Sequence, residues 1–219
     1  NHQPRHMLAP VSVVISAFAP VTDARLAITP QFKNAGEASR LLLIDLGRGA
    51  DRLGGSCLEQ VHGVFTHQVP DLDNARDLAG FFAAIQELMT DGRILAYHDR
   101  SDGGLITTLC EMAFAGRCGL VLSFAESMVC DGDRLRARLF AEEPGAVVQV
   151  AESQLQNVLA CFARHGLDGL VEDIGRPVEG HKLDIEAGGE TCLQADLREL
   201  HQVWNETSFE IQKLRDHPD

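Results

Sequence analysis

Apolar residues along this chain recur in two rhythms. Val11 to Ala17 and Leu41 to Leu46 are β-branched or aliphatic runs of strand length, closed off by proline or glycine. Cys57 to Phe65 suits a helix. Between Asp71 and Asp91, Leu78, Phe81, Phe82, Ile85, Leu88 and Met89 fall at the three- and four-residue intervals of a core-facing helix, which Gly92 stops. A short strand, Ile94 to Tyr97, runs into a polar turn, and Leu105, Leu109, Met112 and Ala113 then mark a helix to Ala115. Gly119 to Phe124 and Ala146 to Val150 read as strands around a helical Asp133 to Phe140. Ser153 to Arg164 is a helix closed by Gly166, and Leu170 to Ile174, Leu183 to Ile185 and Thr191 to Leu193 are short strands. A last helix, Leu197 to Leu214, carries Leu197, Leu200, Trp204, Ile211 and Leu214 on one face, which predicts core or interdomain packing. Strands and helices interleave, so the class is mixed α and β.

The turn after Tyr97 holds the richest chemistry. His98, Asp99, Arg100, Ser101 and Asp102 lead into Gly103-Gly104 and then a helix. Free backbone N–H groups and the helix dipole make such a turn an anion site. Carboxylates there would repel a bare phosphate, and a Mg²⁺ ion between them reconciles the two. Asp99, a hard carboxylate at a strand end, is the candidate metal ligand. Asp102 suits an N-cap, and His98 suits a hydrogen-bonded residue at a strand end. Gly103 and Gly104 would let backbone approach an anion, although a tight turn alone also selects glycine.

Other signals are weaker or absent. There is no G-x-x-x-x-G-K-[ST] loop, and Gly47-Arg48-Gly49 does not continue into a dinucleotide fingerprint. Gly55 to Glu59 imitates a nucleophile elbow, but Glu59 stands where the second glycine belongs, so Cys57 reads as a small buried thiol. Glu142 and Glu143 precede a Pro-Gly break, where carboxylates are expected to be solvated. His62, His67, His165, His181, His201 and His217 share no metal-ligand spacing and are expected at the surface.

Composition narrows the class further. A net charge of −13 argues against nucleic-acid binding, which calls for a basic patch. Six cysteines without a C-x-x-C pair suit free thiols of a reducing cytoplasm. No run approaches the roughly 18–20 apolar residues of a membrane span. Asn1 to Met7 reads as a tag remnant.

His98-Asp99-Arg100-Ser101-Asp102-Gly103-Gly104-Leu105, followed by Glu111 to Gly116, resembles one family. It is similar to the C-terminal half of formylglycinamide ribonucleotide amidotransferase (phosphoribosylformylglycinamidine synthase) in its large single-chain form. Ile15 to Pro20 with Thr29-Pro30-Gln31, Leu42 to Gly47 with Leu53 to Ser56 and Gln60-Val61, Leu139 to Val150, and Trp204 to Arg215-Asp216 agree in order, so the resemblance runs from about Val11 to Asp219. It implies an aminoimidazole ribonucleotide synthetase C-terminal-like domain of α+β class, a mixed sheet with flanking helices, over residues 8–195, and a helical linker toward a glutaminase over 196–219. The implied activity is an ATP-dependent, glutamine-dependent carbon–nitrogen ligation of purine biosynthesis. In that reaction ATP phosphorylates the substrate amide oxygen and ammonia then displaces phosphate.

By the same resemblance Asp99 would hold Mg²⁺ and Ser101 would contact ATP or ADP, at a site that is auxiliary in the large enzymes; Gly103 and Gly104, from their place in the turn, would bring backbone to the same nucleotide. The resemblance assigns no catalytic residue to this stretch. It implies that synthetase N-terminal-like and glutaminase domains of the same polypeptide complete the enzyme. The stretch alone would then be inactive, with an exposed face that a homodimer could cover. A related superfamily enzyme (selenophosphate synthetase, thiamine-phosphate kinase or hydrogenase-maturation type) and a non-catalytic packing module are the alternatives.

Overall fold

The computed structural model describes residues 13–21, 23–33, 38–128 and 132–216. Seven strands form one mixed sheet: β1 (Ser39–Asp45), β2 (Ala96–Asp99), β3 (Gly119–Phe124), β4 (Gly145–Ala151), β5 (Val171–Val178), β6 (Lys182–Ala187) and β7 (Glu190–Asp196), in the order β2-β4-β1-β5-β3-β6-β7. Every neighbouring pair is antiparallel except β3 with β6. Six helices flank it: α1 (Cys57–His62), α2 (Ala75–Thr90), α3 (Gly104–Gly116), α4 (Gly132–Phe140), α5 (Leu155–Arg164) and α6 (Leu197–Asp216). The α+β class stands.

The aliphatic run of β1 follows from its place inside the sheet with both faces covered, since such strands lose the polar alternation of half-buried ones. Leu41 and Leu43 face one core with α3 residues Leu105, Leu109 and Met112. Leu42 and Ile44 face the other, with Ile85 and Leu88 of α2 and Val158 and Phe162 of α5. A sheet between two helical layers results.

Local chemistry sets the helix ends. Asn74 caps α2 by accepting from the Arg76 N–H at 3.1 Å, and Gly92 leaves the helix at φ 66°. α1 ends earlier than its pattern suggests, because Gly63 takes the left-handed conformation at φ 63°.

Three expectations need correction. Of the strand expected over Val11 to Ala17, residues 13–17 are described and join no ladder. Val13, Val14 and Ile15 are exposed. β-branched residues make a strand only where a partner edge and apolar cover exist, and here neither is supplied. On α6 the apolar stripe is buried only at its start: Leu197 is in the core, while Trp204, Ile211 and Leu214 are exposed. On α2, Leu78 and Phe82 face outward, and Ala84, Ile85 and Leu88 carry the packing.

Candidate functional site

The turn singled out from sequence sits where an edge strand meets a helix. β2 pairs only with β4, placing Asp99 opposite Ala146, and Asp99 is exposed at the strand's end. Burial together with the nearby Asp99 carboxylate pushes the Tyr97 phenol's pKa well up. His98 Nε2 lies 2.9 Å from Glu111 Oε2 on α3, as expected of a hydrogen-bonded strand-end histidine. The Trp204 indole N–H donates to the other oxygen of Glu111 at 3.0 Å. Glu111 thus ties the turn's strand to α3 and α6. Ser101 is exposed, and its carbonyl accepts from the Gly104 N–H at 2.9 Å.

Beneath this turn lies a charged network that the sequence did not announce. Arg100, the residue after Asp99, is buried: its Nε donates to the Glu143 carbonyl at 2.7 Å and its Nη2 to Asp45. Arg138 of α4 reaches the other Asp45 oxygen at 2.9 Å and Asp51 at 3.2 Å, and also pairs with Glu172. Asp45 further accepts from the Gly47 and Gly49 backbone N–H groups. Burial alone would raise its carboxyl, but Arg100 and Arg138 outweigh that and hold it below the usual carboxylate value. At Asp51 burial wins, and its carboxyl is raised despite Arg138. Among the described residues, Arg100 Nη1 is the buried side-chain nitrogen or oxygen that lacks a partner.

Glu142 and Glu143 are not solvated. Glu143 is fully buried and grips Arg52 through Nε at 2.7 Å and Nη2 at 2.8 Å. One oxygen of Glu142 accepts from two backbone donors, Gly103 N–H and Cys57 N–H, each at 2.8 Å. These donors open α3 and α1, so a carboxylate of the protein itself sits at the α3 terminus where an anion was expected. Asp102 does not cap α3. The cap position is Gly103, which makes no side-chain cap bond.

Gly103 and Gly104 take φ 81° and 71°, and a Cβ on Gly104 would stand 2.6 Å from the Phe140 carbonyl carbon. Glycine is needed at 104 for backbone conformation and for close packing against the segment that delivers Glu142.

Glu59, the residue that spoiled the elbow pattern, is buried and accepts from the Gly55 and Thr66 N–H groups. It braces a loop, and burial with the nearby Glu142 raises the Cys57 thiol. Sequence reasoning missed Asp45, Arg52, Arg100, Arg138, Glu142 and Glu143. The available signal was a charge ending a continuous aliphatic run at Asp45. Burial of a charge at that point demands a partner. One histidine is also corrected: His165 is only partly exposed and meets Glu87 at 2.9 Å.

A family model described as AIR synthase related protein, C-terminal domain, matches residues 39–188. Among solved structures, T. maritima PurL complexed with FGAR gives a TM-score of 0.61 at 12% identity, covering 81% of this chain and 30% of that one. Phosphoribosylformylglycinamidine synthase II from Thermotoga maritima gives 0.58 at 10% identity, covering 81% and 28%. The E. coli hydrogenase maturation protein HypE gives 0.52 at 23% identity, covering 76% and 52%. At these identities the likeness is one of fold, and the chain spans about half or less of each matched protein's length.

Proposed function

Because the chain belongs to the family of AIR synthase related proteins, as their C-terminal domain, we propose that it is the synthetase-like C-terminal portion of a large phosphoribosylformylglycinamidine synthase. In this reading it contributes one wall of a Mg²⁺–ATP or Mg²⁺–ADP site. The observation that carries the reading is the strand–turn–helix at 96–104, with an exposed Asp99 at the strand end and the first residue of a helix, Gly104, five positions on. One exposed carboxylate suits Mg²⁺, which takes one or two carboxylates and completes its shell with phosphate and water. Asp99 would hold the ion, and Ser101 and the Gly103-Gly104 backbone would meet the nucleotide's phosphates once Glu142 releases the Gly103 N–H. Support also comes from the T. maritima PurL structures complexed with ATP and with ADP.

A hydrogenase-maturation type of enzyme is the second reading, favoured by the higher identity to HypE. The segment Trp204 to Asp216, beyond the 39–188 match, resembles the stretch before a glutaminase and favours the first.

Asp99→Asn keeps the side chain's shape and removes the charge that would bind Mg²⁺. Calorimetry in excess Mg²⁺–ADP should show wild type stabilised by about 2.7 kcal/mol when ligand stands at a hundred times its dissociation constant. The variant should gain far less. Equal stabilisation of the two proteins would end the ligand assignment.

The chain spans 27–30% of the T. maritima PurL proteins it matches, so most of the reaction's apparatus lies in other domains on this reading. The 219-residue protein should therefore make no formylglycinamidine ribonucleotide from ammonium, Mg²⁺, ATP and formylglycinamide ribonucleotide. Steady product formation, followed chromatographically, would move the catalytic centre into this domain.

A further inference from the structure

Away from the turn, on the opposite helical layer, three side chains of metal-binding type converge. Glu87 projects from α2, Cys161 from α5, and His165 follows the last residue of α5. One donor atom from each lies within 4.8 Å of the other two. Among the described residues, no other group of three histidine, cysteine or acidic side chains meets at that range. His165 Nε2 is 2.9 Å from one Glu87 oxygen, and Arg164 pairs with the other. Cys161 and His165 stand four apart on one turn, closed by the His165 N–H to the Cys161 carbonyl at 3.2 Å. Such spacing puts both donors on one helix face.

The frame around them is tight. Cys161 is buried beside Leu88 and Phe162 in the second core. At Gly80 a Cβ would come within 2.3 Å of the His165 carbonyl, so α2 and the end of α5 are in close backbone contact. Donor separations in a tetrahedral zinc site are about 3.3–3.6 Å, from bond lengths of roughly 2.0–2.3 Å. The trio's donors, all within 4.8 Å of one another, lie near that range.

We propose that Glu87, Cys161 and His165 form a binding site for a divalent transition-metal ion of the zinc class. A thiolate, an imidazole and a carboxylate match zinc's mixed preference, whereas Mg²⁺ would shun the sulfur. Three protein ligands leave a fourth position, reached from solvent on the side of the partly exposed Glu87 and His165. Arg164, paired with the far oxygen of Glu87, orients the carboxylate as outer partners of metal ligands do. On binding, the Cys161 thiol gives its proton to solvent and the sulfur becomes a thiolate ligand. Bound as a carboxylate, a thiolate and a neutral imidazole, the three ligands and M²⁺ form a neutral unit. Burial and Glu87 raise the Cys161 thiol, while Arg164 and Arg93 work the other way.

The test is titration of the intact 219-residue protein with Co²⁺, read in the near-ultraviolet and visible, then displacement by Zn²⁺. The expected result is one equivalent bound, with tetrahedral d–d bands and a thiolate-to-cobalt charge-transfer band that Zn²⁺ abolishes. Cys161→Ser should lose the charge-transfer band. His165→Asn, at a partly exposed position that the fold tolerates more easily, should weaken affinity by at least the roughly 10–100-fold seen on removing an outer partner alone. Absence of stoichiometric binding by wild type overturns the proposal. So does a charge-transfer band that survives Cys161→Ser, which would assign the thiolate to another cysteine, or an affinity unmoved by His165→Asn.

Discussion

Asp45→Asn is expected to destabilise the protein by about 3–5 kcal/mol in urea unfolding, the range for breaking a buried ion pair by removing one partner. Asparagine fills the same space, so the loss reports charge and not packing. Asp45 faces two buried guanidiniums, Arg100 and Arg138, and accepts from two backbone N–H groups of the loop that follows. Without its charge, Arg100 keeps only carbonyl acceptors, and Arg138 must rely on Asp51 and Glu172. A surface pair makes the control: Arg40→Gln, which frees Glu152 and the more distant Asp173, should cost only about 0.2–1 kcal/mol. Similar losses for the two variants would show the buried network to be energetically idle.

The same network gives acid sensitivity of defined sign. The folded-state pKa of Asp45 is lowered, so its contribution is present above the unfolded value near 4 and is lost as pH falls through the folded value. Asp51, raised by burial, works against this and recovers part of the loss as it protonates. Asp45→Asn should therefore flatten the acid limb of stability against pH, measured from about pH 5 downward.

Gly104→Ala is the second large effect. Alanine at φ 71° costs about 1–2 kcal/mol for the left-handed conformation, and its methyl would stand 2.6 Å from the Phe140 carbonyl carbon and 2.9 Å from the Ala141 oxygen. Those neighbours are backbone, so relief requires α3 to move away from the end of α4, adding roughly 1–3 kcal/mol of overpacking. Gly49→Ala shares the backbone strain at φ 73° but meets nothing within 4 Å, and should lose only the first part. The difference between their denaturant midpoints isolates the packing role of Gly104. Equal losses would refute it.

Much of this fold was legible because burial wrote it into the chain. The aliphatic run of β1 and the stripe of α3 are the direct imprint of a sheet covered on both faces. Elements that burial does not shape were harder to read. β5 was expected to stop at Ile174, but it runs on to Val178. Gly175 lies where the β1 register shifts, and a Cβ there would strike the Val121 carbonyl oxygen at 2.1 Å. β7 was judged too short because its outer residues are polar, as suits a strand on the sheet's exposed edge. At the turn, residue types pointed to anion chemistry, but the partners came from far along the chain: Asp45 is 55 positions from Arg100, and Glu142 is 39 from Gly103. Such long-range pairing leaves no periodic trace in sequence. The metal-type trio was missed for the same reason, since Glu87 is 74 positions from Cys161 and the histidines had been compared only with one another.

The carboxylate of Glu142 on the Gly103 N–H also bears on selectivity. A side chain tethered to its own acceptor site acts as a competitor at a fixed effective concentration, in the millimolar range for short flexible tethers. On the proposed nucleotide reading, a dissolved anion would have to displace it at the α3 terminus, so weakly held monoanions would be screened out in favour of a multiply charged or metal-bridged ligand. Because the tethered group already holds the backbone donors in place, such a ligand would find the turn formed on arrival and lose little to ordering it.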